Sequence, residues 1–190
     1  FFLNVPMKKS IIITLAVVVL FAGWAWSGYN GFVTAHEAVD GSWAQVETQY
    51  QRRVDLIPNL VSTVKGAAEF EKSTFVEVTE ARTKWMNAGS RGEQVSAANG
   101  MEGALSRLML TFENYPTLQA TQAYRDLMTQ LEGTENRIAV SRRDYNEIVR
   151  IYNVAVKRFP ALVLAKVFGF GAEEFFEAEE GAEDAPDVEF

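Results

Sequence analysis

The stretch YRDLMTQLEGTENRIAVSRRDYNEIVRIYNVAVKRF, residues 124–159, decides the fold. Its large apolar side chains recur at alternating intervals of four and three residues, which places them on one face of a long α-helix. We call this face the last stripe; it comprises Tyr124, Met128, Leu131, Glu135, Ile138, Arg142, Tyr145, Val149, Tyr152, Val156 and Phe159. Phe159-Pro160 should end the helix, because the residue before a proline avoids helical geometry. So long a helix must pack against helices of comparable length, which favours an up-and-down antiparallel bundle.

Three more segments with helical spacing precede the last stripe. The first stripe comprises His36, Val39, Trp43, Val46, Tyr50, Arg53, Ile57, Leu60, Val64 and Ala67. Pro58 lies within it and should kink or break the helix, because proline lacks a backbone N–H. The other two segments are marked by Phe75, Val78 and Trp85, then by Met101, Leu105, Leu108, Phe112 and Tyr115. The turn-forming residues 87–92 separate these two segments, and Pro116 suits the first turn of the next helix.

The N-terminal run IIITLAVVVLFAGWAW, residues 11–26, indicates a membrane segment. Ser10 to Tyr29 gives twenty uncharged positions, and such a helix is about 30 Å long, which matches a bilayer core. A cleaved signal peptide is the alternative, since Ala25-Trp26-Ser27 resembles a cleavage site. The bulky aromatic residues there favour an uncleaved anchor. Lys8 and Lys9 precede the run, so the positive-inside rule predicts a cytoplasmic N-terminus and a domain outside the cell membrane.

These patterns predict an all-α chain, with an N-terminal transmembrane helix followed by an antiparallel bundle of three to four long helices. We expect a short N-terminal segment at 1–9, the transmembrane helix at 10–29, the bundle at 30–170 and an acidic tail at 171–190. The tail holds nine of the 25 acidic residues and no Lys or Arg. The rest of the chain is therefore nearly neutral, and no basic face indicates nucleic-acid binding.

The composition limits the chemistry that the chain can carry. Without cysteine it has no disulfides, thiolate metal sites or thiol nucleophile. Its one histidine, His36, excludes multi-histidine metal sites, and the pairs Glu77/Glu80 and Glu132/Glu135 lack the histidine of a di-iron motif. We therefore expect no catalytic residues, no cofactor, no metal and no enzymatic activity.

Several polar residues lie in or beside the stripes, where aliphatic residues are expected: Arg53, Glu135, Arg142, Asn146 and Asn153. The structural interpretation is that they fix register and pairing in the bundle. The functional interpretation makes them a buried acid–base cluster or a ligand pocket. We favour the structural interpretation, and in an antiparallel bundle Arg53 and Glu135 could meet as an ion pair.

The acidic tail is most simply a solvated, extended segment. Its aromatic residues Phe175, Phe176 and Phe190 nevertheless allow it to dock, either on a neighbouring bundle or in a partner. Val188 and Phe190, with a free carboxylate, resemble the peptides captured by strand-adding domains, so both are hypothetical partner-binding residues.

Several motifs make the chain resemble the LemA family. They are Tyr29-Asn-Gly31, RRVDLIPNLV at 52–61, TEAR at 79–82, ENYP at 113–116, EGTENRIAVSRRDYN at 132–146, Tyr152-Asn153 and Phe159-Pro160. The resemblance spans nearly the whole chain and implies a single-pass bacterial membrane protein with an antiparallel helical bundle. It implies no enzymatic activity. Family descriptions often place the N-terminus outside, contrary to the expectation from Lys8 and Lys9.

Two functions are compatible with these features. The first is a non-enzymatic scaffold at the bacterial cell membrane, which forms homo-oligomers or organises membrane-protein partners. The second is an adaptor for a membrane protease or another envelope machine, which acts through its C-terminal tail. The lipid bilayer is the one partner that residues 10–29 predict directly.

Overall fold

The computed structural model describes residues 7–65 and 72–176, with side chains placed at 9–63 and 75–176. Within these ranges the chain forms no strand and six helices: α1 (Met7–Lys65), α2 (Lys72–Asn87), α3 (Arg91–Phe112), α4 (Pro116–Gln119), α5 (Gln122–Lys157) and α6 (Ala161–Phe168). The predicted all-α fold is therefore confirmed. Ala67, Val188, Phe190 and the side chain of Val64 lie outside the described parts.

Helix α1 is continuous for 59 residues. The predicted boundary at 29/30 therefore falls inside one helix, and no loop marks it. Pro58 also lies inside α1, so the predicted break does not occur. Ile57 and Leu60 are fully buried while Pro58 is exposed. Packing of the stripe thus offsets the cost of a proline in a helix interior, about 3 kcal/mol.

The chain divides into two compact units, and Trp43–Tyr145 together with Phe176 belong to one of them. Four long helical segments of this unit form an up-down-up-down bundle: the part of α1 from Trp43 onward, α2, α3 and the part of α5 up to Tyr145. Trp43 and Tyr50 of α1 bond to Gln94 and Glu102 of α3, so these segments run parallel. Helix α2 runs back against both, since Arg107 of α3 pairs with Glu77.

Helix α5 completes this bundle, running antiparallel to α1 and α3. The Tyr145 ring meets the Trp43 ring edge-on, whereas Glu135, earlier in α5, pairs with Arg53, later in α1. The loop between α2 and α3 is only Ala88–Ser90, inside the predicted turn. Pro116 begins α4, as its position before a helical pattern predicted.

The last stripe is mostly the buried face of α5. Leu131, Ile138, Tyr145, Val149, Tyr152 and Val156 are all buried. Tyr124, Met128 and Arg142 are half-buried, and two members of the stripe are exposed. Glu135 is exposed, and the neighbouring Thr134 takes the buried position. Phe159 is 79% exposed, because α5 ends at Lys157 and the helical spacing no longer applies.

The other unit contains Asn146–Phe175 and the chain up to Ser42. Here α6 packs directly on α1. A Cβ atom on Gly28 would lie 2.9 Å from Cδ1 of Leu164, so glycine permits this close approach. Gly169 ends α6 in the left-handed region (φ 80°), and the Phe170 N–H then donates to the Ala165 carbonyl at 2.9 Å.

The N-terminal part of α1 is apolar and exposed. Its most apolar 18-residue window has a mean hydropathy of 2.1 and none of its residues is buried within the described chain. By length and composition this helix can cross a membrane. The large side chains from Ile11 to Phe21 are the ones that the bilayer would cover.

Candidate functional site

The bundle unit holds a charged cluster of Tyr50, Arg53, Glu102, Glu135 and Arg142. Glu102 of α3 is its centre, because its Oε1 accepts from the Tyr50 hydroxyl at 2.8 Å and from Arg142 Nη1 at 2.9 Å. The same oxygen lies 3.8 Å from Nη1 of Arg53. Glu102 thereby links side chains of α1 and α5 through one half-buried carboxylate.

Arg53 is the deeply buried charge of the cluster, with only 2% of its side chain exposed. Its Nη2 donates to Oε2 of Glu135, whose side chain is 59% exposed. Two arginines therefore face two carboxylates, and the cluster is close to neutral. Such balance is what a buried charge requires in a low-dielectric interior. Burial, followed by the neighbouring Glu102 carboxylate, raises the pKa of the Tyr50 hydroxyl.

A cleft of about 640 Å³ opens beside Arg53 and is also lined by Glu102, Glu132, Glu135 and Asn136. The Nε of Arg53 is buried and has no hydrogen-bond partner among the described residues. Among those residues no three His, Cys, Asp or Glu side chains come together in a way that could hold a metal ion. Of the polar residues that line the cleft, Arg53, Glu102 and Glu135 pair with one another across the helices.

An aromatic cluster in the same unit surrounds Phe176, which is 3% exposed. Its ring stacks with the rings of Trp43 and Tyr50, each at a centroid distance of 6.1 Å. The Arg142 guanidinium lies 4.1 Å from the same ring, a cation–π contact. Phe176 belongs to the segment predicted as a solvated acidic tail. That prediction is therefore wrong for Phe176, because burying a phenylalanine ring outweighs the polar composition around it.

In the other unit, the side-chain amide of Asn153 forms hydrogen bonds with both the carbonyl and the N–H of the Glu173 backbone. The Asn153 Nδ2 donates to the Glu173 carbonyl, and the Glu173 N–H donates to Asn153 Oδ1, both at 2.8 Å. The Glu173 carboxylate lies 3.2 Å from Nε2 of His36, and Asp40 lies 3.4 Å from Nδ1. Asn153 therefore attaches the chain after α6 to α5, and we call this contact the Asn153 clamp.

Tyr152 lies beside the clamp, with its ring 5.6 Å from that of His36. Its hydroxyl is buried and has no hydrogen-bond partner among the described residues. Burial, assisted by the Glu173 and Asp40 carboxylates, raises the pKa of Tyr152. The raised pKa keeps the Tyr152 hydroxyl in its neutral form near neutral pH.

The structure thus distributes the polar residues of the stripes over both units. Arg53, Glu135 and Arg142 meet in the charged cluster, Asn153 forms the clamp, and Asn146 is half-buried on α5. Sequence reasoning missed Glu102, which follows the stripe residue Met101. It also missed the place of Phe176.

A helical bundle with an internally paired charged cluster, in a chain that also has a candidate membrane-spanning helix, defines the class of protein. The model of the LemA family matches residues 42–190. Magnetosome protein MamQ 2 of Paramagnetospirillum magneticum is 32% identical over 207 aligned residues, which cover 95% of this chain and 76% of the relative. Magnetosome protein MamQ of Magnetospirillum gryphiswaldense is 31% identical, and the alignment again covers 95% of this chain and 76% of the relative. Protein LemA of Metamycoplasma hominis is 24% identical over 80% of the chain and 69% of its own length. The chain belongs to the LemA family, and it is a membrane-associated protein.

Proposed function

We propose that the protein is a non-enzymatic scaffold, anchored in the bacterial cell membrane by residues 10–29, whose bundle self-associates or organises partners there. One observation carries the proposal. The charged side chains that meet inside the bundle bind one another, with Glu102 accepting from Tyr50 and Arg142 and lying close to Arg53. They cross-link helices and do not converge on a point where a substrate atom would react.

The relatives support the membrane-associated part of this proposal, since two of those named above are magnetosome proteins. The exposed face of α5 supports self-association. Ile151 and Val154 are 54% and 52% exposed and lie three residues apart on one side of the helix. An exposed apolar patch is a typical contact surface in soluble domains. A second copy of the chain is the partner we propose for the patch of Ile151 and Val154.

Cysteine cross-linking in membranes tests self-association, because the chain has no cysteine of its own. Single variants Ile151→Cys and Val154→Cys should form disulfide-linked dimers in membranes under mild oxidation. Thr48→Cys is the control, because Thr48 is exposed on α1 and lies away from Ile151 and Val154. Light scattering of the detergent-solubilised full chain should give a mass above that of a monomer. A monomeric mass at every concentration, with no preferred cross-link, would contradict the scaffold proposal.

A second candidate function is an adaptor for a membrane protease or another envelope machine. The Asn153 clamp and the burial of Phe176 favour it, because they fix the start of the acidic segment. The segment from residue 177 onward would then leave a defined point of the protein. Val188 and Phe190 lie outside the described residues and remain proposed partner contacts.

Truncation separates the two functions. Deleting residues 187–190 should abolish binding to the partner machine while cross-linking through Ile151→Cys persists. Replacing only Asp187 and Glu189 by Asn and Gln controls for charge, because it keeps Val188 and Phe190. If both variants bind the partner as the parent does, Val188 and Phe190 are not its binding residues.

A further inference from the structure

Helix α6 lies beside the end of the candidate membrane span. Gly28 contacts Leu164 of α6, and the Tyr29 ring meets the Phe168 ring edge-on at a centroid distance of 5.1 Å. The twenty uncharged positions of the predicted span end at Tyr29. Because Trp and Tyr residues at the end of a span lie at headgroup depth, α6 occupies that depth as well.

The outer face of α6 is apolar. Leu164 and Ala165 are buried within the unit and Leu162 is half-buried, whereas four large apolar residues of the segment are exposed. We call these exposed residues the α6 patch; they are Phe159, Val163, Val167 and Phe168. Val167 is 72% exposed, and Trp26 on the neighbouring part of α1 is also exposed. In water such a patch would be unfavourable, because burying apolar surface away from water is favoured.

The charged side chains of the segment that carries the α6 patch are all positive. Residues 148–172 contain four basic residues and no acid: Arg150, Lys157, Arg158 and Lys166. Lys157, Arg158 and Lys166 are exposed and lie before or within α6. An apolar face bordered by basic side chains is the pattern of interfacial helices, in which Lys and Arg reach up to lipid headgroups.

We propose that α6, with Phe159 before it, is an interfacial lipid-binding element. Its α6 patch inserts at the boundary between headgroups and acyl chains, and Lys157, Arg158 and Lys166 bind anionic headgroups. The occupant is the bilayer, because the patch continues the apolar surface of the adjoining span. The element lies in the leaflet where the span ends, whichever side of the membrane that is.

Depth-dependent fluorescence quenching tests this proposal on the full chain. Val167→Cys, labelled with a bimane fluorophore, is reconstituted into phosphatidylcholine vesicles containing phosphatidylglycerol. Lipids that carry a nitroxide at the headgroup or deep on the acyl chain serve as quenchers. We expect the headgroup nitroxide to quench the Val167 label several-fold more than a label at Thr48→Cys. A label at Val18→Cys, within the span, should respond more to the deep nitroxide.

The alternative occupant of the patch is a second copy of the chain. In that case the Val167 label would escape both nitroxides, and its emission would depend on the protein-to-lipid ratio. That result, or quenching equal to that at Thr48, would overturn the proposal. Since Val167 is exposed, circular dichroism of the labelled variant should match the parent, which confirms that the fold is retained.

The headgroup contacts have their own test. Vesicles of phosphatidylcholine alone, or the triple variant Lys157→Gln, Arg158→Gln and Lys166→Gln, should reduce headgroup quenching at Val167. Equal quenching with and without phosphatidylglycerol would overturn the role of the three basic residues. Cross-linking through Ile151→Cys reports on self-association separately, so failure of one proposal is distinguishable from failure of the other.

Discussion

At the scale of single residues, Glu102 rather than Glu135 neutralises the interior of the bundle. Glu135 binds Arg53 from a mostly exposed position. Glu102 accepts hydrogen bonds from Tyr50 and Arg142 and also forms an ion pair with Arg53. Exposed ion pairs contribute little to stability, while removing one partner of a buried pair leaves the other charge uncompensated. The two carboxylates should therefore differ sharply in what they contribute to the stability of the fold.

Glu102→Gln should lower the free energy of unfolding by on the order of 3 kcal/mol, because it leaves Arg53 and Arg142 without their shared carboxylate. Glu135→Gln is the matched comparison and should lower it by less, because water screens the exposed Glu135 carboxylate and Arg53 keeps Glu102 at 3.8 Å. Chemical unfolding of the full chain in detergent, followed by circular dichroism, measures both changes. Equal losses for the two variants would show that Glu102 is not the centre of the charged cluster.

The arginines of this cluster could be found from the sequence, whereas its central carboxylate could not. Arg53 and Arg142 occupy stripe positions, where a charge is conspicuous among aliphatic residues. Glu102 follows the stripe residue Met101, and a glutamate there is typical of a solvated helix flank. Only the parallel packing of α1 and α3 brings it to Tyr50, and such long-range pairing leaves no local signal.

At the scale of helices and segments, local chemistry predicted most of the boundaries. The proline rules place the start of α4 and the end of α5 close to where they occur. The continuity of α1 through Pro58 was not predictable, because buried neighbours decide it. The Asn153 clamp and the burial of Phe176 were not predictable either, because the acidic composition of the segment after α6 indicates solvent exposure.

Removing the Asn153 clamp should loosen that segment selectively. Asn153→Ala loses two hydrogen bonds to the Glu173 backbone, a cost of about 1–2 kcal/mol. The Glu173 amide should then exchange with deuterium faster, which mass spectrometry of a peptide covering residues 170–176 detects. Asn136→Ala, at an exposed asparagine of the same helix, should leave that peptide unchanged. Unaltered exchange in Asn153→Ala would mean that the clamp does not hold the segment.

At the scale of the whole molecule, the basic residues that flank the span predict its orientation in the membrane. Lys8 and Lys9 precede the apolar run, and the next basic residue along the chain is Arg52. The positive-inside rule counts basic residues close to the ends of a span. The N-terminal side of the span carries that excess, so we infer that the bundle lies on the periplasmic or extracellular side.

Cysteine labelling tests this orientation. The reporter is best placed at Asn87, which is exposed at the end of α2, because Ser90 caps α3 by accepting from the Glu93 N–H. If the bundle lies outside, as we infer, a membrane-impermeant maleimide should label Asn87→Cys in intact spheroplasts. Asn4→Cys, on the other side of the span in sequence, should be labelled only after lysis. The reverse pattern would place the N-terminus outside and show that two lysines do not determine the topology of this chain.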